Sequence, residues 1–402
     1  MQQVKLTITC TAILVLIGIL QGCIVTATPD PLVIQSIDEE HLLPSPPTDS
    51  FGLTVEVVAK ELKVPQAIDF APDGRIFVAE REGTIRIVTD GQVQHPPYAE
   101  IDVAQHGDSG LLGITLDPEF ESNQYLYIYH TYTTPGGLLN RVVRLEDMGP
   151  RGQNPVIILD KIPGAQIRNG GSIKFGPDNK LYITTGDANI QSLAQDLGSL
   201  AGKILRINKN GTVPLDNPFP GSPVYSYGHR NPLGLAWNPA NGQLIATEQG
   251  PLSNDEVNRI IAGSNYGWPK VIGVSKDSRF QDPMLLSGVN TWTPSGAAFY
   301  NGNKLPPEWN DRLLFGALRG QRIIWLTLRP PNYDSILNQG TLFGRRFGRI
   351  RDVVLGPDGH VYFTTSNLDS HGNPHEGDDL ILRIISVQGS LGYTPESLVD
   401  SP

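Results

Sequence analysis

One short pattern recurs along this chain and limits what it can fold into. An apolar residue leads into a Pro/Asp/Gly turn, and a β-rich run follows. The pattern appears as Phe70-Ala71-Pro72-Asp73-Gly74-Arg75-Ile76-Phe77-Val78, Leu116-Asp117-Pro118-Glu119-Phe120 and Phe175-Gly176-Pro177-Asp178-Asn179-Lys180-Leu181-Tyr182-Ile183. It returns as Trp237-Asn238-Pro239-Ala240-Asn241-Gly242-Gln243-Leu244-Ile245 and Leu355-Gly356-Pro357-Asp358-Gly359-His360-Val361-Tyr362-Phe363. The prolines are spaced by 46, 59, 62 and 118 residues. The last interval is about twice the others, and Phe299-Tyr300-Asn301-Gly302 near its midpoint reads as a degenerate copy. Asp-Gly and Asn-Gly between β-rich runs are hairpin signals. Units of this size, six in all, predict an all-β, six-bladed β-propeller. A pair of β-sandwiches would not require such even spacing. Phe51–Ala59 and Leu380–Val387 are both strand-like, so they are expected to pair in one blade and close the ring, leaving no open edge. Leu193–Leu205 has room for a turn or two of helix.

Composition agrees. The chain has 402 residues with 43 Gly, 33 Pro and 18% charged residues, which suits one large, turn-rich β domain. Its net charge of -10 argues against a nucleic-acid partner, because phosphate binding needs clustered Lys and Arg.

The N-terminus reads as an export signal. Lys5 supplies a basic start, Thr11 to Leu20 is apolar, and Leu20-Gln21-Gly22-Cys23 resembles a lipoprotein lipobox. The apolar run is short for a membrane span. The predicted organisation is a signal peptide over 1–22, a Pro-rich tether over 23–50, the propeller over 51–387 and a tail over 388–402. The tether carries Thr28-Pro29-Asp30-Pro31 and Pro44-Ser45-Pro46-Pro47, a composition that stays extended. A diacylated Cys23 would anchor the protein strongly, because two chains are buried. This predicts an exported protein, periplasmic or at the cell surface. After cleavage Cys23 is the only cysteine, so no intrachain disulfide can form.

The chemistry-bearing residues sit in the turns. Tyr227-Gly228-His229-Arg230-Asn231-Pro232 is followed by Glu248-Gln249-Gly250-Pro251 and Asn254-Asp255-Glu256. Glycine lets backbone carbonyls approach a ligand, and carbonyls with a carboxylate suit a hard cation such as calcium. Arg230, Arg319, Arg349 and Arg351 come from three separate repeats of an acidic chain. Propeller loops converge at the axial mouth, where arginines would form an anion site.

These landmarks come with Ser109-Gly110-Leu111-Leu112-Gly113, Gly170-Gly171-Ser172-Ile173, Thr185-Gly186-Asp187, Ala201-Gly202-Lys203-Ile204-Leu205-Arg206, Asn265-Tyr266-Gly267-Trp268-Pro269 and Arg349-Ile350-Arg351-Asp352-Val353. Together, from about Pro65 to Ile385, the chain resembles the soluble quinoprotein sugar dehydrogenases of the glucose/sorbosone dehydrogenase type. The resemblance implies a propeller carrying pyrroloquinoline quinone (PQQ) and calcium, which oxidises an aldose at C1 to its lactone and passes electrons to an external acceptor. It implies PQQ contacts at Arg230, Asn231, Arg349 and Arg351, with Arg319 in place of a family Lys. The carbonyls of Gly250 and Pro251 would hold a calcium that touches the quinone. Glu256 and the Tyr266 carbonyl would hold a structural calcium.

Two positions depart from the family. Its general base is a His two residues before a Gly-Gly pair, and Gln166-Ile167-Arg168-Asn169-Gly170-Gly171 places Arg168 there. An arginine stays protonated and cannot accept the sugar proton. Asp187, the expected partner of the His, is retained, and can either pair with Arg168 or act as the base itself. Asp108 stands where the family usually has Gln near the quinone. Among the histidines, His130 reads as a packed or edge residue and His229 as support for its turn; His371 and His375 are within reach of the mouth but read first as a solvated loop. Arg168 keeps a second reading open, a sugar- or partner-binding lipoprotein without turnover. A calcium-dependent propeller lactonase is a third, but it gives the arginines no role.

Overall fold

The computed structural model describes residues 51–386. The signal segment, the tether, Cys23 and the tail lie outside the described residues. Six antiparallel sheets of four strands each, one with an extra short strand, make up the described chain. Each sheet begins on an inner strand: Pro65–Phe70, Leu111–Leu116, Ile173–Phe175, Pro232–Trp237, Pro294–Phe299 and Ile350–Leu355. The fold is the six-bladed propeller that the repeat predicts.

The repeated turn follows each inner strand, and its chemistry explains its sequence. Asp73 Oδ1 accepts the amide of Arg75 at 3.1 Å, Asp178 Oδ1 that of Lys180 at 3.1 Å, and Asp358 Oδ1 that of His360 at 3.2 Å. The aspartate thus closes its own turn two residues on. In the third and sixth blades it also accepts a tyrosine hydroxyl from the second strand, Tyr182 at 3.0 Å and Tyr362 at 2.9 Å. The degenerate copy differs for a physical reason. Between Phe299 and Arg312 the longer connection is held by the Tyr300 hydroxyl, which accepts the amides of Lys304 and Leu305 at 2.8 and 2.7 Å. Trp309 fills the space beneath it, fully buried against Phe51 and Trp325. A side chain other than Asp holds this turn, so the signature is absent.

Ring closure is as expected. Leu53–Ala59 pairs antiparallel with Ile381–Ser386, with Glu56 opposite Arg383 and a 2.7 Å bond between them. The first strand is therefore the outermost strand of the last blade. Around the axis the inner strands press together. A Cβ on Gly113 would lie 2.1 Å from the Gly171 carbonyl oxygen, and one on Gly296 would lie 1.9 Å from Asp352 Oδ1. Apolar clusters fill the wedges between adjacent blades, such as Phe77, Ile85, Leu111, Ile114 and Leu126 between the first and second. The helical turn expected after Leu193 is a short 3-10 segment, Gln191–Gln195, and Lys203–Ile207 is strand. The Lys203 ammonium is buried beneath that segment and donates to the carbonyls of Leu193, Ala194 and Ala201.

Candidate active site

A cavity of about 830 Å³ runs along the propeller axis. Arg81, Asp108, Arg168, Asn231, Arg319, Arg349, Arg351 and His371 line it, as do Asp69, Lys174 and Asp352 further along the inner strands. Five arginines lining one cavity of an acidic protein supply positive charge that suits an anion.

Arg168 sits at φ +64°, in the left-handed region that non-glycine residues seldom adopt. Its carbonyl is approached so closely by Gly186 that a Cβ there would lie 1.9 Å away, so only glycine fits. The next residue, Asp187, is fully buried. Its Oδ2 accepts Arg168 Nη1 at 3.2 Å and Trp268 Nε1 at 2.9 Å, and its Oδ1 accepts the Asn189 amide at 2.8 Å. Of the two alternatives left open by the sequence, pairing with Arg168 is the one found. Asp187 is not on the cavity wall.

Arg349 and Arg351 leave the same strand edge and share one acceptor, Asp369 Oδ2, at 2.9 and 3.3 Å. Burial pushes the Arg351 guanidinium down to about 10. Burial would raise the Asp369 carboxyl, but Arg351 and Arg349 outweigh it and hold it below the usual range. Arg319 differs. Its side chain is exposed on the cavity wall, and no ion pair or hydrogen bond to it is present among the described residues. Its amide donates to the Trp292 carbonyl at 3.0 Å, which fixes the backbone beneath it.

Arg230 stands behind the main cavity rather than on its wall. Its amide donates to Glu248, its Nη1 to the Gln249 carbonyl at 3.0 Å, and its guanidinium lies 5.5 Å from the Trp268 ring centroid. Nε is buried with no partner among the described residues, and burial together with Arg168 pushes the group down to about 10. Asn231 does reach the main cavity, accepting the Gly170 amide and donating to Gln249 Oε1, both at 3.0 Å. His229 supports its turn as expected: it is fully buried, with its ring nitrogens 2.8 Å from Ser226 Oγ and Glu248 Oε2.

Gly250, Pro251, Glu256 and Tyr266 line a second, water-sized cavity of about 10 Å³, together with Arg230, Glu248 and Trp268. The sequence suggested two separate metal sites, yet all four residues border one small space. Burial, then the neighbouring Glu248 carboxylate, pushes Glu256 up to about 8. A carboxyl that holds its proton through burial and a neighbouring carboxylate suits a hard cation, with Gly250, Pro251 and Tyr266 bordering the same space. Asp255 is structural, since its oxygens accept the amides of Gly250, Trp292 and Thr293.

Some wall residues carry no signal in the sequence reading, and one alternative it left open is realised. His371 is exposed, as a solvated loop implies, and it also reaches the cavity, its amide held by Asp369 Oδ1 at 2.9 Å. Arg81 and Lys174 were missed. Lys174 Nζ donates to the Ala297 carbonyl at 2.8 Å, with Asp69 and Asp352 nearby.

Comparison with known proteins places this arrangement. A family profile described as Glucose / Sorbosone dehydrogenase matches residues 62–374. Aldose sugar dehydrogenase YliI of Escherichia coli is 32% identical over 337 residues, covering 78% of this chain and 90% of that protein. Quinoprotein glucose dehydrogenase B of Acinetobacter calcoaceticus is 29% identical over 431 residues, covering 84% and 89%. The PQQ-bound aldose sugar dehydrogenase structure from Streptomyces coelicolor is 36% identical, with a TM-score of 0.74 over 85% of this chain and 99% of that one. With its propeller and its axial wall of arginines, this chain belongs to the glucose/sorbosone dehydrogenase family.

Proposed function

We propose that this protein is a PQQ-dependent oxidoreductase that oxidises an aldose at C1 to the lactone. The observation that carries this reading is the axial cavity walled by Arg81, Arg168, Arg319, Arg349 and Arg351, where the Arg319 side chain has no protein partner among the described residues. A planar tricarboxylate matches those arginines in charge. Arg319, Arg349 and Arg351 would hold the carboxylates, with Asn231 fixing one edge. Arg230 supports from behind, its Nε still without a partner. The carbonyls of Gly250, Pro251 and Tyr266 with the Glu256 carboxylate would hold calcium. PQQ, when bound, supplies a two-electron hydride acceptor, and calcium a Lewis acid at its oxygen.

The chain's own residues then have defined tasks. Asp369 keeps the Arg349 and Arg351 side chains side by side, so the anion meets a preorganised pair. Asp187, Trp268 and Gly186 fix the loop that carries Arg168. The inner strands enclose the sugar and keep it oriented in the axial cavity.

A second reading is favoured by one observation, the Arg168–Asp187 pair at the position of the family's base. On that reading the protein binds PQQ or sugar without turnover. Purified protein, supplied with PQQ and calcium, should reduce a redox dye when aldoses are added. Bound PQQ with no aldose-dependent reduction would establish the binding-only reading. We further propose that the chain is exported and anchored by lipid at Cys23, and that it passes electrons to an external acceptor.

A further inference from the structure

We propose that Asp108 accepts the proton of the anomeric hydroxyl, replacing the base that Arg168 cannot supply; this rests on the sugar-oxidising reading above. Three aspartates line the axial cavity. Two have their oxygens committed to the fold. Asp69 accepts the amides of Phe70 and Leu116 at 2.8 Å each and the Thr115 hydroxyl at 3.0 Å. Asp352 accepts the amides of Ile68 at 3.2 Å and Val353 at 2.9 Å. The Asp108 carboxylate accepts no hydrogen bond among the described residues. Its nearest cation is Arg81 at 3.9 Å, beyond hydrogen-bond reach, and its side chain is 48% exposed into the cavity mouth.

Its position is nevertheless fixed, and fixed against the loop that carries Arg168. The Asp108 amide donates to the Gln166 carbonyl at 2.7 Å. A Cβ on the preceding Gly107 would lie 2.5 Å from that same oxygen, so the two loops are in tight contact. Ser109 pins the other side, donating to the carbonyls of Ala104 and His106. An uncommitted carboxylate is thus held beside the slot where an arginine has displaced the base. The charged and titratable groups that face it are Arg81 from the first blade and Arg351 from the sixth, with Arg168 and His371 on the same wall and His106 on its own loop. His371 is the other proton acceptor on the wall, but its loop is tied to Asp369 and not to the 166–168 segment.

The step balances without a further reactant. The O1–H bond breaks and its proton goes to the Asp108 carboxylate. The C1–H bond breaks and hydrogen leaves with its electron pair to the quinone oxidant. C1=O forms, the sugar is oxidised by two electrons, and the quinone is reduced by two. Arg168 remains cationic throughout, on the same wall.

The test is anaerobic single turnover of the calcium- and PQQ-loaded protein with glucose, xylose and maltose, following cofactor absorbance from pH 5.5 to 7.5, with PQQ affinity measured separately by tryptophan quenching. Asp108→Asn should slow reduction about 10²–10⁴-fold while PQQ affinity changes little. Asp108→Glu should recover much of the rate. A base of ordinary imidazole character would lose about tenfold in rate from pH 7.5 to 5.5. Adding Arg168→His to Asp108→Asn should restore turnover and introduce that imidazole-like acid limb. Asp108→Asn at the wild-type rate would overturn the assignment and leave the dehydrogenase reading standing. Loss of turnover in His371→Gln with retention in Asp108→Asn would move the proton to His371 and overturn it as well. Wild type that binds PQQ but is reduced by no sugar would remove the dehydrogenase reading, and this inference with it.

Discussion

Arg168 Nη1 lies 3.2 Å from Asp187 Oδ2, joining a side chain that is 18% exposed to one that is not exposed at all. The pair is asymmetric. Asp187 also serves Trp268 and Asn189, whereas Arg168 keeps contact with the cavity. Removing Asp187 should therefore cost more than removing Arg168. Asp187→Ala leaves buried donors without an acceptor and should destabilise by about 3–5 kcal/mol. Arg168→Ala should cost about 1–2 kcal/mol, since Asp187 keeps two other donors. Urea unfolding midpoints of the two variants decide it, and a reversed order would mean that the pair does not organise this loop.

The three mouth arginines should separate stability from binding. Arg349→Ala and Arg351→Ala should each weaken PQQ binding, by about 1.5–3 kcal/mol for a charged hydrogen bond, and should also lower thermal stability by freeing Asp369. Because they share Asp369, the double variant should deviate from additivity. Arg319→Ala should weaken binding while leaving the melting temperature of the cofactor-free protein unchanged. Unaltered PQQ affinity in all three would exclude this placement of the cofactor.

Calcium removal should expose the charge deficit at Glu256. Its carboxyl, raised to about 8 by burial and by Glu248, binds its proton more tightly in the folded than in the unfolded chain. Its stabilising contribution without metal is therefore complete below the ordinary glutamate range and is lost as pH rises toward 8. Chelated protein should lose stability between pH 5 and 8, and Glu256→Gln should flatten that slope. Added calcium should restore the wild type, most strongly at the higher pH, where the proton it displaces is held least tightly. Thermal unfolding with and without chelator at each pH is the measurement, and identical slopes in wild type and Glu256→Gln would count against a cation at this site.

His130 predicts an acid-sensitive step elsewhere. It is buried on the second strand of the second blade, Nδ1 has no partner among the described residues, and burial with Arg141 pushes the ring down to about 4. The unfolded chain would take up its proton near 6.5, so the contribution is full above that pH and is lost as pH falls from about 6.5 to 4. The loss amounts to at most about 3 kcal/mol. His130→Asn should remove this part of the acid transition in a pH series of urea melts.

Mass spectrometry of protein recovered from membranes should show a mature N-terminus beginning at a lipid-modified Cys23. Detection of an intact Met1 would contradict the lipobox reading.

The sequence by itself determined the blade count, because each turn motif is local; ring closure it only suggested, through two strand-like runs near opposite ends of the chain. The aspartate of each Pro/Asp/Gly turn bonds an amide two residues away, so a repeated short motif specifies a repeated hairpin, as at Asp73, Asp178 and Asp358. The blade without the motif was found only by spacing, because Tyr300 does the same work through a longer loop. Ring closure was legible in two strand-like termini, and Arg383 facing Glu56 came with it. Residue identity also showed that Arg168 cannot be a base. What its charge is balanced by was decided in three dimensions, where Asp187, from the next hairpin, already accepts from Trp268 81 residues further on. Tertiary structure alone sent Arg230 behind the cavity, brought His371 to its wall, and gathered Gly250, Pro251, Glu256 and Tyr266 around one small space. It also separated the three wall aspartates, committing Asp69 and Asp352 to backbone amides of neighbouring strands and leaving Asp108 open. Those outcomes depend on which blades meet at the axis and on which polar groups find partners there, and contacts between distant segments leave no local pattern in a sequence.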